Sequence, residues 1–162
     1  RDPRQPTVSQ LLPEPWRGRL FPVGRLDKDA EGLLLFTDDG RLAHRILSPR
    51  KEVEKEYFVR VDGPLGPREV EAFARGLSLR DGTVTRPARL EVRRPEAPAE
   101  ATVTVVEGKY HQIKRMMAAC GRKVLYLKRI RIGGLELGDL PPGAYRRLTP
   151  EEVARIDGRH RL

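Results

Sequence analysis

Residues 24–40, which read GRLDKDAEGLLLFTDDG, hold the side chains best suited to chemistry near the start of the chain. Asp27, Asp29 and Glu31 alternate and a glycine follows them, a spacing close to that of a calcium-binding loop. The same stretch is also a turn that presents a single acid, Asp27, beside Arg25. A carboxylate next to a cation stays ionised at neutral pH and can act as a nucleophile or a base.

The surroundings of this stretch argue against calcium. A calcium loop of this kind needs a helix on each side, whereas Pro22 and Gly24 precede it and an apolar, strand-like run occupies its second half. Arg25 and Lys28 would also repel a cation. The sequence therefore favours the interpretation in which Asp27 is a lone acid among basic groups.

A zinc site finds less support than the lone acid. The three histidines and the single cysteine are far apart in the sequence: His44, His111, Cys120 and His160. The spacing predicts Cys120 on the apolar face of a helix, where a buried cysteine acts as a small hydrophobe. A single cysteine allows no internal disulfide, which is typical of a reducing compartment.

Composition limits the class of partner. The 162 residues suit one domain, and 32 Lys and Arg residues against 23 Asp and Glu residues give a net charge of +9. Such a balance indicates a polyanionic partner, with nucleic acid foremost. Because no apolar run approaches the roughly 20 residues that span a bilayer, we expect a cytoplasmic protein without a membrane partner.

The elements that must position these residues follow from periodicity and turn signals. Strands are predicted at residues 33–37, 54–61, 88–94, 101–108 and 124–132, and helices at 41–48, 67–76, 110–121 and 149–156. The last helix carries a capping box formed by Thr149 and Glu152. Strands and helices are mixed without a regular βαβ rhythm, so the predicted fold is α+β with a largely antiparallel, mixed sheet and flanking helices.

Taken singly, the remaining polar residues favour ordinary roles. Asp27 suits a turn acid that accepts backbone N–H bonds, and Tyr57 suits a core aromatic residue in a strand. Lys114 and Arg115 suit the solvated side of an amphipathic helix. Since adjacent helical residues point in different directions, these two cations are expected to face different partners.

Several segments together resemble the bacterial ribosomal-RNA pseudouridine synthases of the RsuA type. They are GRLDKDAEGLLLFTDDGRLAHRILSP, KEYFV, EGKYHQIKRMMAACG and LKRIRIGGLELGDLPPGAYRRLT, in the order that the family has them. The resemblance covers nearly the whole chain, and GRLD followed by a glycine and an apolar strand is its most specific part. GKYHQIKRM resembles the small-subunit branch more than the large-subunit branches.

The resemblance implies the pseudouridine-synthase fold and assigns three residues. Asp27 matches the catalytic aspartate, Tyr57 matches the tyrosine that packs on the target base, and Lys114 matches the basic residue that pairs with the aspartate. It also implies a reaction that needs no metal and no organic cofactor. Ala30 stands where the family commonly has threonine, a change that we expect to alter a local hydrogen bond only.

The expected substrate is a uridine in ribosomal RNA, which must be extruded from its stack to reach the site. Basic residues near the matched segments are predicted to contact the phosphates: Arg25, Arg41, Arg45, Lys109, Arg115, Arg129 and Arg131. We expect residues 1–162 to form a catalytic domain, monomeric and without the small N-terminal RNA-binding domain that usually precedes it.

Two other classes of function stay open at this point. A non-enzymatic RNA-binding module would explain the positive charge equally well and would not require Asp27, Tyr57 and Lys114 to meet. A hydrolase that uses Asp27 and Asp29, or a metal-assisted nuclease, is disfavoured by the flanking cations and the missing ligand spacing.

Overall fold

The computed structural model describes residues 12–109 and 111–156. Those residues form eight strands and four α-helices. Within those residues the strands are β1 (Phe21–Pro22), β2 (Glu31–Gly32), β3 (Phe36–Thr37), β4 (Lys55–Val61), β5 (Arg89–Arg94), β6 (Ala99–Val105), β7 (Val124–Ile132) and β8 (Leu135–Glu136). The helices are α1 (Gly40–Leu47), α2 (Pro67–Arg75), α3 (Gln112–Ala119) and α4 (Pro150–Ile156).

Six of the strands form one sheet in the order β2-β7-β4-β6-β5, with β8 also paired to β7. Strand β4 lies at its centre and runs antiparallel to both β6 and β7. Only β2 runs parallel to its neighbour, β7. Strands β1 and β3 form a separate two-stranded sheet. The predicted α+β fold with a largely antiparallel, mixed sheet is therefore confirmed.

Helices α2 and α3 cover one face of the large sheet. Val59 and Val61 of β4 are fully buried against Phe73 of α2 and against Met116 and Met117 of α3. Burial follows from the period of each element: inward strand residues come at every second position, and the helical ones come at i and i+3 or i+4. This cluster fixes the position of α3 relative to β4.

A second apolar cluster lies beside the first and gathers the end of the sheet with α1 and α4. It includes Leu33 and Leu35, together with Ile46 of α1, Ile132 of β7 and Ile156 of α4. Leu47, at the end of α1, is exposed and lies outside this cluster. No helix in the described ranges is long and apolar enough to cross a membrane.

Helix ends are capped as the sequence indicates. Asp39 caps α1, accepting hydrogen bonds from the N–H groups of Arg41 and Leu42. Thr149 and Glu152 cap each other's backbone N–H at the start of α4, which confirms the predicted capping box. Helix α3 ends at Ala119, one residue before Cys120, which is half-buried rather than fully enclosed.

The prediction of one continuous strand at residues 33–37 was wrong. The chain leaves the large sheet after Gly32 and joins the small sheet at Phe36, so the strand pairing is split between two sheets. Leu33 and Leu35 are buried between them, as their apolar character requires. Periodicity reports burial and cannot tell which neighbouring strand each residue pairs with.

Gly32 lies at the end of β2, in close contact with its partner strand β7. Its φ is +115°, and a Cβ atom built there would lie 2.2 Å from the carbonyl oxygen of Arg129. The N–H of Leu33 donates to that same oxygen at 2.8 Å. A side chain at position 32 would therefore push β2 away from β7.

We predict that Gly32→Ala lowers the free energy of unfolding by about 2–4 kcal/mol, through backbone strain and overlap with β7. Gly40→Ala is the matched control, since nothing lies within 4 Å of a Cβ built at that position. It should change stability by less than about 1 kcal/mol. Denaturant unfolding measures both variants, and equal stability of Gly32→Ala and the parent would refute the close approach.

Candidate active site

The turn between β1 and β2 carries Asp27. The N–H of Ala30 donates to the carbonyl of Asp27 at 2.9 Å, which closes the turn. The carboxylate of Asp27 is 23% exposed, so it lies in a recess rather than on the open surface. Short strands flank the turn instead of helices, which agrees with the argument against a calcium loop.

The first turn of α3 faces Asp27 with two basic side chains. Lys114 Nζ lies 3.9 Å from one carboxylate oxygen of Asp27, and His111 Nε2 lies 3.8 Å from the other. Lys114 also donates to Asp29, which is its closer partner. Lys114 therefore lies between two carboxylates, with His111 on the other side of Asp27.

A buried acid orders the backbone that leads into α3. Glu107 accepts from the N–H of Arg86 at 2.7 Å and from the amide of Gln112 at 2.9 Å. The amide oxygen of Gln112 accepts in turn from the N–H of Lys109 at 3.0 Å. His111 has a left-handed backbone with φ of 48°, uncommon for a residue other than glycine. These bonds hold the strained start of α3 in place.

Tyr57 lies on β4 directly across from Arg129 on β7. Its hydroxyl accepts a hydrogen bond from Arg129 Nη1 at 3.3 Å, and the guanidinium lies 5.9 Å from the ring centroid. The ring is thus held by both a hydrogen bond and a cation–π contact. Because Arg129 uses the oxygen as an acceptor, the hydroxyl proton of Tyr57 is free to be donated elsewhere.

Arg129 joins Tyr57 to the turn that bears Asp27. Its Nε donates to the carbonyl of Leu33 at 2.8 Å, and its Nη1 also reaches the carbonyl of Arg25 at 3.5 Å. The guanidinium is buried. The structure therefore brings Asp27 and Lys114 together directly, and links Tyr57 to them through Arg129.

Charge and burial shift two pKa values at the site. The hydrogen bond from Lys114 holds the pKa of Asp29 below its usual range. Burial, and then the charge of Arg129, lower the pKa of Lys55 on β4 to about 8. The protein therefore combines an ionised Asp29 with a lysine, Lys55, that can lose its proton near neutral pH.

The predicted phosphate-contacting residues divide by exposure. Arg25 and Arg41 are exposed. Three others form ion pairs: Lys109 with Glu107, Arg115 with Asp81, and Arg131 with both Glu54 and Glu56. Arg45 is half-buried in α1. Arg129 is buried, so its guanidinium faces Tyr57 and backbone carbonyls instead of solvent. Arg115 points to Asp81 and Lys114 to the acids, as their adjacency on the helix predicts.

Three contributions to the site escaped the sequence analysis. Asp29 was considered only as a metal ligand or a second acid, yet it is the closer partner of Lys114. His111 was considered only for zinc, although its spacing of three from Lys114 places both on one side of the helix start. Arg129 was assigned to RNA, because an alternating strand does not show which cation is buried.

Metal binding finds no support in the described ranges. No group of three or more His, Cys, Asp or Glu side chains there could hold a metal ion. Asp27 and Asp29 instead share Lys114, which supplies the positive charge between them.

Comparisons with known proteins show the family of the chain. Residues 2–119 match the RNA pseudouridylate synthase family. The chain therefore belongs to that family, and the predicted family and enzyme class are confirmed. "Ribosomal small subunit pseudouridine synthase A" of Escherichia coli K12 is 48% identical over 157 residues, covering 96% of this chain and 67% of that protein.

Two further similarities support the assignment. The protein of the same name from Vibrio parahaemolyticus is 50% identical, again covering 96% of this chain and 67% of its own length. A solved pseudouridylate synthase superposes with a TM-score of 0.88 at 42% identity, covering 93% of this chain and 65% of that one. The chain thus spans about two thirds of the length of these relatives.

We predict that Lys114→Met raises the pKa of Asp29 back toward its ordinary value, because the hydrogen bond from Lys114 is the largest cause of its depression. Carbon-13 NMR titration of the aspartate carboxyls measures this shift. Arg115→Met is the matched control on the same helix, and it should leave Asp29 unchanged because Arg115 pairs with Asp81. An Asp29 pKa that stays low in Lys114→Met would contradict the ion pair.

Proposed function

We propose that the protein converts a uridine of small-subunit ribosomal RNA into pseudouridine, with Asp27 as the reacting carboxylate. The observation that carries the proposal is the placement of Asp27 between Lys114 and His111, on a turn that Arg129 links to Tyr57. The names of the relatives from Escherichia coli and Vibrio parahaemolyticus support the small-subunit substrate.

The reaction moves one bond and one proton. The bond between the sugar carbon C1′ and uracil N1 breaks, the base turns, and C1′ bonds to C5 of the base. The proton on C5 leaves and N1 gains one, so the atoms balance without an oxidant or an energy carrier. The protein must therefore supply a charged group, a place for the base and a route for a proton.

Asp27 suits the first of these tasks. Lys114 Nζ and His111 Nε2 lie 3.9 Å and 3.8 Å from its two oxygens, and the ammonium group of Lys114 supplies positive charge beside them. An ionised carboxylate can attack the nucleoside as a nucleophile or stabilise a positive charge that develops on the sugar. Both roles require the negative charge of Asp27.

Tyr57 suits the second task. A flat ring held by Arg129 offers a stacking surface for the extruded uracil, worth about 1–3 kcal/mol per base. Its hydroxyl proton is not used by Arg129 and can be donated toward the base. This role assigns Arg129 to holding Tyr57 instead of contacting phosphates.

Ribosomal RNA suits the net charge of +9. Extruding a uridine costs a few kcal/mol, which phosphate contacts offset. Arg25, which lies in the turn that bears Asp27, and Arg41 at the start of α1 are exposed and serve as phosphate contacts in this proposal. We further propose that the protein works in the cytoplasm as a monomer, and that residues 1–162 act as one catalytic domain.

We predict that Asp27→Asn abolishes pseudouridine formation and leaves the melting temperature and RNA affinity near those of the parent. Asn keeps the size and much of the hydrogen bonding of Asp but lacks its charge and nucleophilicity. Single-turnover assays on ribosomal RNA from cells that lack the gene, with pseudouridine-specific labelling and primer extension, measure the rate. A parallel binding titration measures affinity.

Asp29→Asn is the matched control two residues away. It should keep turnover, because Asp27 and its contacts with Lys114 and His111 remain in place. If Asp27→Asn converts uridine at the parent rate, the catalytic proposal is wrong and a non-enzymatic RNA-binding role takes its place.

A further inference from the structure

Two buried cations lie on the same face of the sheet as Tyr57. Lys55 precedes Tyr57 by two positions on β4, so both side chains project from one face. Arg129 lies directly opposite Tyr57 on β7. Lys55 is 7% exposed and Arg129 is 5% exposed. Residues of these types are seldom buried to this degree unless they are paired.

Neither cation has a carboxylate partner among the described residues. The hydrogen bonds of Arg129 go to the carbonyls of Leu33 and Arg25 and to the hydroxyl of Tyr57, all of them neutral oxygens. Its buried Nη2 has no partner there. Taking charges out of water lowers stability when no opposite charge compensates. The fold therefore keeps uncompensated positive charge on the face of the sheet that carries Tyr57.

The effect on Lys55 agrees with this charge balance. Its strand neighbours, Val105 on β6 and Ile132 on β7, are apolar, and Arg129 is the charged group whose field acts on it. Burial and that field lower the pKa of Lys55 to about 8. An anion that entered the site beside Tyr57 would stabilise the protonated lysine.

The reaction itself produces such an anion. If the bond from C1′ to N1 breaks first, its electron pair stays on N1 and spreads over the carbonyl oxygens of uracil. If a carboxylate first adds to C6, the electrons move to the O4 side of the ring. On both routes negative charge collects on the base, which lies on Tyr57 in the proposed function.

We propose that Lys55 and Arg129 stabilise the negative charge that develops on the uracil ring stacked on Tyr57. The inference rests on the proposed function and adds to it the part of the site that serves the base. The two cations act through Tyr57 and across the sheet face, so they are positioning residues and not reacting groups. A carboxylate partner would cancel their field, which explains why the fold supplies none. Fixed charges of this kind cost no reorganisation during the reaction.

The test compares Lys55→Met and Lys55→Arg in the full-length protein, with Lys123→Met as the matched control. Lys123 is an exposed lysine before β7. With saturating ribosomal RNA, Lys55→Met should lower the single-turnover rate by about 10- to 100-fold, with unchanged RNA affinity. Lys55→Arg should recover most of the rate, and Lys123→Met should match the parent.

Stability separates this role from a structural one. Met has similar length and carries no charge, so Lys55→Met removes an uncompensated buried cation and should raise the melting temperature. A slower enzyme that is more stable supports the inference. A lower melting temperature together with a slower rate would indicate that Lys55 only supports the fold, which overturns the inference.

The pH profile gives a second readout. Protonated Lys55 is present below its pKa, so the parent rate should fall as the pH rises through about 8. Lys55→Arg stays charged and should keep its rate up to pH 9.5. A fall of equal size in both proteins would assign the titration to another group and count against Lys55.

The leaving group gives the third readout. Fluorine at C5 stabilises negative charge on the ring, so RNA that carries 5-fluorouridine needs less help from the protein. The rate is measured as disappearance of the substrate nucleoside. The factor by which Lys55→Met lowers this rate should be several-fold smaller with 5-fluorouridine than with uridine. Equal factors overturn the inference and leave the proposed function standing. If the parent protein forms no pseudouridine at all, the proposed function is wrong and this inference is wrong with it.

Discussion

The buried guanidinium of Arg129 is the interaction on which the rest of the site depends. It donates hydrogen bonds to the carbonyls of Leu33 and Arg25 and to the hydroxyl of Tyr57. The backbone of the same residue pairs with β2 and accepts from the N–H of Leu33. One residue of β7 thereby fixes both the turn that presents Asp27 and the ring on which a base would stack. The close pairing of β2 with Arg129 is possible because Gly32 has no side chain that would stand between the two strands.

Around that contact, the fold arranges charge in two layers. Near the cleft, Lys114 lies between Asp27 and Asp29, and these opposite charges offset each other. On the sheet face that carries Tyr57, Lys55 and Arg129 stay without a carboxylate partner in the described part of the chain. The first layer holds two carboxylates beside one lysine, and in our proposal the second supplies positive charge for a ring that becomes negative. The buried charge costs stability, and the positioning role that we propose for the two cations explains why the fold retains it.

Long elements with a clear period could be predicted from the sequence. Strand β4 and helices α2 and α3 lie where alternation, Pro67 and the terminal glycines place them, because local pattern and burial agree there. The run at residues 33–37 could not be predicted in the same way, since its pairing partners lie far along the chain. The preference of Lys114 for Asp29 over Asp27 is equally hidden, because it depends on how a helix and a turn meet in space. The burial of Arg129 depends on a parallel pairing that no local pattern indicates.

A map of pseudouridines across both ribosomal RNAs tests the central claim most directly, because it asks whether this site acts on RNA in the cell. The map would compare cells that carry the gene, cells that lack it, and cells that lack it but express the parent or the Tyr57→Ala protein. The account predicts that a pseudouridine of the small-subunit RNA disappears with the gene, returns with the parent protein and does not return with Tyr57→Ala. Identical maps with and without the gene, or full restoration by Tyr57→Ala, would contradict it.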